Sequence, residues 1–221
     1  MLEVTGLRVS IKGAEVLRGA DLSLPDSTFG ALVGRNGAGK TSFLRAVMGL
    51  LPVRNGTVSI GKFNTTRWAG YRHEAQGVGY MPEDRRLIPS WTVEQNILLP
   101  LLATSATDAE LRLKRVYALI PELVPHAGRR ALQLSGGQQK LVALARAIIA
   151  GQRLLLLDEP FEGVAPALAE RLVEVLHQLR RSSDCTLLIT ESDRAHSLDM
   201  VDFVFQIERG VISPPPTSAA A

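Results

Sequence analysis

Cysteine is nearly absent from this 221-residue chain, in which Cys185 stands alone. A single thiol excludes a disulfide scaffold and fits a reducing compartment. Aromatic residues are scarce as well, at 5%, and Trp68 and Trp91 are the only tryptophans. Long apolar runs are missing: the longest region, Leu141 to Leu157, is broken by Arg146, Gln152 and Arg153, whereas a membrane span needs about 20 apolar residues. Met1 to Gly13 lacks the basic start and apolar block of a signal peptide. No charge of one sign dominates, since 25 basic and 22 acidic residues leave +3. The basic residues occur as scattered pairs, Arg85-Arg86, Arg129-Arg130 and Arg180-Arg181. They read as solvated surface, and no nucleic-acid partner is expected. What the chain does have is an apolar fraction of 46%, enough for a sizeable core and too much for a disordered chain.

Period-two alternation through Leu7, Val9 and Ile11, and again through Leu22 and Leu24, predicts half-buried antiparallel strands. Phe29 to Val33 reads as a buried strand that ends in glycines, and Thr41 to Leu50 has helical spacing. Short strands are expected at Gly56 to Ile60 and Gly77 to Met81. From Thr92 to Arg130 the pattern turns helical, with Pro100, Pro121 and Pro125 expected to cut it into separate helices. An Ala-rich helix follows at Leu141 to Ala150, then a strand at Leu154 to Leu157, a helix at Leu168 to Leu179 and a strand at Thr186 to Thr190. The last strands are Val204 to Ile207 and a piece around Val211, and the tail from Pro214 is expected to fray. There is no internal repeat and no long linker.

Three motifs carry the chemistry. Gly34-Arg35-Asn36-Gly37-Ala38-Gly39-Lys40-Thr41 fits the phosphate-loop pattern G-x-x-x-x-G-K-S/T between a strand and a helix. Its glycines let successive N–H groups point at a phosphate, and the helix that follows, through Ser42, adds its positive end. Lys40 is placed to reach the β- and γ-phosphates, and the Thr41 hydroxyl to ligate Mg²⁺. Next, Leu154-Leu155-Leu156-Leu157-Asp158-Glu159-Pro160 brings an acidic pair to the carboxyl end of a buried strand. Asp158 is expected to hold Mg²⁺ and Glu159 to act as general base; read alone, such a pair is more often a helix N-cap, and its pairing with the phosphate loop reverses that reading. Finally, Leu134-Ser135-Gly136-Gly137-Gln138 starts a helix with glycines that a bare cap has no use for. A second anion-binding helix start, with one lysine and one metal site for both, suggests half-sites completed by a second subunit.

These motifs, in this order and over nearly the whole chain, resemble the ATP-binding subunit of an ABC transporter. The resemblance implies an α/β fold: a P-loop NTPase, RecA-like core with an antiparallel β part and an inserted helical subdomain. The expected division of the single 1–221 domain is a core of 1–83 and 150–213, a helical subdomain of 84–149 and a tail of 214–221. It further implies a head-to-tail dimer in which ATP lies between the phosphate loop of one subunit and Ser135, Gly136, Gly137 and Gln138 of the other.

Some positions depart from the family's commonest residues. Ile11 stands where an aromatic usually stacks on adenine, so apolar contact would replace stacking. Glu83 replaces a Gln and can still ligate Mg²⁺ or orient water. Ala165 replaces an Asp, and Ser192 matches a His that contacts the γ-phosphate. Ser192 can hydrogen-bond a phosphate oxygen without carrying charge; His196, further along, reads as a surface residue. Pro82 to Arg86, Thr92 to Asn96 and Glu159 to Pro166 are similar to the branched-chain amino-acid importer type.

That resemblance implies an ATPase on the cytoplasmic face of the cell membrane, paired with a second ATPase subunit and with separate permease subunits. A substrate-binding protein completes the system, and the cargo is a small solute of the amino-acid, urea or amide type. Arg85, Arg86, Leu87 and Trp91 are candidate permease contacts. A soluble ABC-type ATPase unconnected with transport, and a weakly hydrolysing partner of another ATPase, are the alternatives.

Overall fold

The computed structural model describes residues 1–102, 104, 106–192 and 199–213. His196 and the tail from Pro214 lie outside the described residues. A four-stranded antiparallel sheet has the order β2-β1-β4-β5, from β1 (Leu2–Ile11), β2 (Ala14–Leu24), β4 (Asn55–Ile60) and β5 (Phe63–Asn64). A six-stranded sheet has the order β10-β9-β3-β8-β7-β6, from β3 (Phe29–Val33), β6 (Val78–Met81), β7 (Leu154–Asp158), β8 (Thr186–Glu191), β9 (Phe203–Glu208) and β10 (Val211–Ser213). All of its neighbouring pairs are parallel except β10 on β9.

The burial of β3 and β7 shows why their sequences are continuously apolar. Every residue of both strands is buried, because the parallel sheet is covered on both faces. Leu155 and Leu157 point to one apolar cluster, shared with the helices, while Leu154 and Leu156 point to the other, shared with β1, β2 and α1 (Lys40–Val47). Alternation of side chains across a strand thus divides one leucine run between two cores.

Between β6 and β7 lie α3 (Val93–Leu102), α4 (Ala109–Leu119), 3-10 turns at Pro121–His126 and Ala131–Gln133, and α5 (Gly136–Ala150). Their Val93, Ile97, Val116 and Ile120 join Leu155 and Leu157 in one apolar cluster. Helix α5 is buried along its whole length from Lys140 to Ala150. Pro100 does not end α3 but lies inside it. In a helix of 10 residues it falls in the last turn, where few backbone bonds remain to be lost. Helix α3 opens on a reciprocal cap, with the Thr92 Oγ1 accepting from the Gln95 N–H at 3.1 Å and the Gln95 Oε1 accepting from the Thr92 N–H at 2.9 Å. One turn on, the fully buried Asn96 accepts from the Ile88 N–H at 2.7 Å and donates to the Ile88 and Thr92 carbonyls, both at 3.0 Å. This side chain pins the loop that leaves β6.

The short helix α2 (Gly70–Ala75) and β5 were not foreseen. Helix α6 (Pro166–Ser182) starts earlier than its apolar periodicity, with Pro166 in its first turn. Cys185 is buried, and its thiol donates to the Gly151 carbonyl at 3.2 Å; burial pushes its pKa up to about 12.

Close packing of α5 on β6 depends on Gly79. A Cβ there would stand 2.0 Å from the Ala147 carbonyl oxygen and 2.8 Å from the Gly151 nitrogen. Both are backbone atoms, so one element must move. A Gly79→Ala variant is expected to lose about 3 kcal/mol of stability, read as a fall of roughly 6 to 12 °C in Tm. A melting curve matching the native chain would show that α5 is held less tightly than this geometry requires.

Candidate active site

The site forms at the carboxyl ends of β3, β7 and β8, where a parallel sheet presents its ligands. After β3 the chain enters the glycine loop. Gly37 and Gly39 have φ of +81° and +114°, conformations costly for a residue with a Cβ. A Cβ on Gly34 would lie 2.3 Å from the Ile207 carbonyl oxygen, so this position too admits only glycine. Gly39 caps α1 without a side-chain hydrogen bond, which leaves the first N–H groups of that helix as donors for an anion.

The Lys40 side chain, 4% exposed, turns back into the loop. Its Nζ donates to the Gly34 carbonyl, to the Arg35 carbonyl at 3.3 Å and to the Ser192 Oγ at 3.4 Å, and it pairs with the Glu159 Oε1 at 2.9 Å. Ser192 Oγ lies 2.9 Å from the Glu159 Oε1 and 2.8 Å from the Asn36 Oδ1. With a single hydrogen, that hydroxyl donates to one of the two oxygens at a time.

Asp158 is fully buried at the end of β7. Its Oδ1 accepts from the Thr190 hydroxyl at 2.9 Å and from the Thr41 hydroxyl at 3.1 Å, and its Oδ2 accepts from the Tyr80 hydroxyl at 3.3 Å. Burial raises the Asp158 pKa, and these three hydrogen bonds oppose the rise. Tyr80 is itself pushed up, first by burial and then by the Asp158 charge. The next residue, Glu159, adopts a left-handed backbone with φ of +47°, a strained choice for a side chain of this size. Its N–H donates to the Thr190 Oγ1 at 3.1 Å. Thr190 therefore holds both members of the acidic pair.

A cavity of about 390 Å³ is lined by Asn36, Gly37, Gly39, Lys40, Thr41, Ser42, Glu83, Glu159, Glu162 and Val16. A second, of about 540 Å³, carries Gly34, Ala38 and Ser192 on the other side of the loop. Val16, not Ile11, is the residue of the antiparallel sheet that lines the first cavity; Ile11 pairs with Ala14 at the β1–β2 turn. Glu83 is exposed and faces the cavity. Its pKa is raised, first by desolvation and then by Glu162, Asp158 and Glu159.

Donors of this set, a hydroxyl and carboxylates, are hard oxygens suited to Mg²⁺, which binds through one or two carboxylates together with substrate phosphates. Thr41 and Asp158 are already in contact, and the fully buried Asp158 carboxylate is met by the hydroxyls of Thr41, Tyr80 and Thr190. The residues fit that ion.

Gly136, Gly137 and Gln138 line a different cavity, of about 540 Å³, with Arg85, Lys140 and Ala165. Only Glu83 and Glu162 line both this cavity and that of the phosphate loop. Ser135 is a true N-cap: its Oγ accepts from the Gln138 N–H at 3.3 Å, and its own N–H donates to the Gln138 Oε1 at 3.0 Å. The cap reading and the glycine-led helix start thus coexist. Arg85, expected as a surface contact, is drawn inward to the Gly136 carbonyl at 3.1 Å and the Gln139 Oε1 at 3.2 Å. Arg86 remains exposed, paired with Asp84 at 3.0 Å.

Tyr80, Thr190 and Val16 escaped the sequence reading as site residues. Thr190 left one signal, a polar residue ending a buried strand; Tyr80 and Val16 left none, because only sheet register brings them here.

A family model described as ABC transporter matches residues 17–162. The chain is 31% identical over 189 residues to the high-affinity branched-chain amino acid transport ATP-binding protein BraG of Pseudomonas aeruginosa, covering 86% of this chain and 81% of that protein. It is 34% identical over 211 residues to the aliphatic sulfonates import ATP-binding protein SsuB 2 of Agrobacterium fabrum, covering 96% of this chain and 77% of that one. Among solved structures, a bacterial ABC transporter cassette in dimeric form superposes with a TM-score of 0.86 at 21% identity, over 98% of each chain. That likeness concerns the fold.

Proposed function

Since this chain belongs to the ABC transporter family, as an ATP-binding subunit and an ATPase, we propose that Glu159 is its general base and that hydrolysis powers uptake of a small solute. The observation that supports the reading is the meeting of Lys40, Thr41, Asp158, Glu159 and Ser192 around one phosphate loop. The loop N–H groups and Lys40 bind the β- and γ-phosphates of ATP. Thr41 and Asp158, with Glu83 at the rim, hold Mg²⁺, which when bound offsets phosphate charge. Glu159 takes a proton from a water that attacks the γ-phosphorus. The bond from that phosphorus to the bridging oxygen breaks, and its electrons stay on ADP.

Lys40 gives this site an order of events. Before nucleotide arrives, the Glu159 carboxylate is occupied by the Lys40 ammonium at 2.9 Å. Phosphate oxygens that draw Lys40 away release the carboxylate for a water. The base is thereby freed by the substrate it acts upon.

The second half of each site is the start of α5 in another ATPase subunit, identical or related. This chain's own Gly136 and Gly137 line a cavity apart from Lys40 and Thr41, as a shared arrangement requires. Among the described residues no helix is long and apolar enough to cross a membrane. The proposed position is peripheral, on the cytoplasmic face beneath separate permease subunits, with a binding protein delivering solute; the transport and import ATP-binding relatives support it. The transport and import relatives support uptake, and a branched-chain amino acid, urea or an amide is the solute class we assign.

Purification of the complex through a tag on this chain, followed by identification of its co-purifying chains, tests the reading. Membrane subunits are expected, and in the reassembled complex a branched-chain amino acid with its binding protein should raise ATP turnover. Stimulation by a sulfonate instead would replace the solute. Ribosomal or DNA-repair chains in place of membrane subunits would overturn the transport role.

A further inference from the structure

Lys140 plays no part in the chemistry described so far, yet with Lys40 and Arg146 it is one of three buried lysine and arginine side chains among the described residues. It lies in the second turn of α5 and is 5% exposed. Its Nζ donates to the backbone carbonyls of Glu159 and Glu162, both at 3.1 Å. The charged groups around it are Arg85 on the loop after β6, Glu83 on the same loop, and Glu162 and Glu159 on the loop after β7.

A buried ammonium on two main-chain oxygens has a consequence for the loop that carries them. Glu159 holds the left-handed backbone, and the turn it opens closes with its carbonyl accepting from the Glu162 N–H at 3.2 Å. Such a conformation persists in a non-glycine residue only where its surroundings impose it. On one side the imposing contact is Thr190, which takes the Glu159 N–H. On the other it is Lys140, whose charge-assisted bonds tie the first and last carbonyls of the turn. The carboxylate then points at Lys40 and Ser192.

We propose that Lys140 is a positioning residue for hydrolysis: it fixes the Glu159 backbone from α5 and so links the start of that helix to the aim of the general base. The helix whose first turn carries Gly136 and Gly137 is the one that holds Glu159 in the same chain. A displacement of α5, driven by whatever its first turn contacts, is passed to the Glu159 backbone through the Lys140 ammonium. Arg146, further along α5, grips the Arg85 and Arg86 carbonyls, so the loop bearing Glu83 is tied to the same helix.

The inference rests on Glu159 as general base, and its test separates the two. Full-length Lys140→Met, Lys140→Gln and Lys140→Arg variants are compared with Glu159→Gln for kcat, KM for ATP and Tm. Lys140→Met is expected to lower kcat about 100-fold, the scale of a misplaced catalytic group, with KM within about twofold because the phosphate loop is untouched. Lys140→Arg, which keeps the charge and the donors, should recover kcat to within about threefold. Should Lys140→Met fail to fold, Lys140→Gln serves in its place, with one amide donor set and a kcat between those of the native chain and the Met variant. A neutral variant with native kcat, or one whose kcat and affinity fall together, would overturn the positioning role. Native turnover in Glu159→Gln would instead overturn the base.

Discussion

Glu159→Gln is expected to bind ATP at least as tightly as the native chain and to hydrolyse it about 100- to 10,000-fold more slowly, the share that general-base catalysis contributes. That loss corresponds to roughly 3 to 5 kcal/mol of barrier. The amide keeps the size of the carboxylate and its place beside Ser192, but it does not accept a proton from water. Affinity should hold or improve because the native site spends its Lys40 ammonium on Glu159, at 2.9 Å, before any phosphate arrives. The amide is a weaker competitor for that cation. Steady-state turnover and an equilibrium titration with ATP check both halves. A variant that turned over at the native rate would move the base to another group, and one that lost ATP would show that the pair assembles the site rather than occupying it.

Lys40→Ala should fail at the earlier step. Hydrogen bonds to charged groups are worth about 1.5 to 3 kcal/mol, so ATP affinity should fall about 10- to 150-fold. A second effect appears without nucleotide. Lys40 and Glu159 side chains are 4% and 8% exposed, and removing one partner leaves the other as a charge in a nearly dry setting. Such losses cost about 3 to 5 kcal/mol in buried pairs. The double variant Lys40→Ala/Glu159→Gln should regain most of that stability while still binding ATP poorly. Urea unfolding midpoints against nucleotide titrations separate the two roles. Equal stability of the single and double variants would mean that the ammonium is no partner for Glu159 in the nucleotide-free protein.

Much of the site was legible because its chemistry is written in contiguous runs. Gly34 to Thr41 needs glycines for its backbone and a lysine beside them, and the leucine run ending in Asp158 and Glu159 announces a buried parallel strand. What stayed hidden depends on neighbours in the sheet. Tyr80 lies on β6 beside β7, and nothing around it in the chain distinguishes its hydroxyl from any other. Thr190 meets Asp158 through the register of β7 on β8. The start of α5 was legible only from its motif: Gly136 and Gly137 are poor helix formers, so the apolar pattern begins at Leu141 while the helix begins at Gly136. The spacing from Ser135 to Gln138 was the available sign of a cap. Ile11 is a position carried over from a resemblance; it sits at the β1–β2 turn, while Val16 of the same sheet lines the cavity.

The solitary Cys185, buried just ahead of β8 with its thiol on the Gly151 carbonyl, makes the chain a clean host for chemical probes. Maleimides and other thiol reagents act on an accessible thiolate, which this side chain does not offer. A cysteine introduced at the exposed Glu170 or Arg86 would be the sole site that such a reagent reaches, with no need to remove the native one. Spin labels or fluorophores attached in this way would report distances across an assembled pair, in a protein whose interior is left as nature packed it.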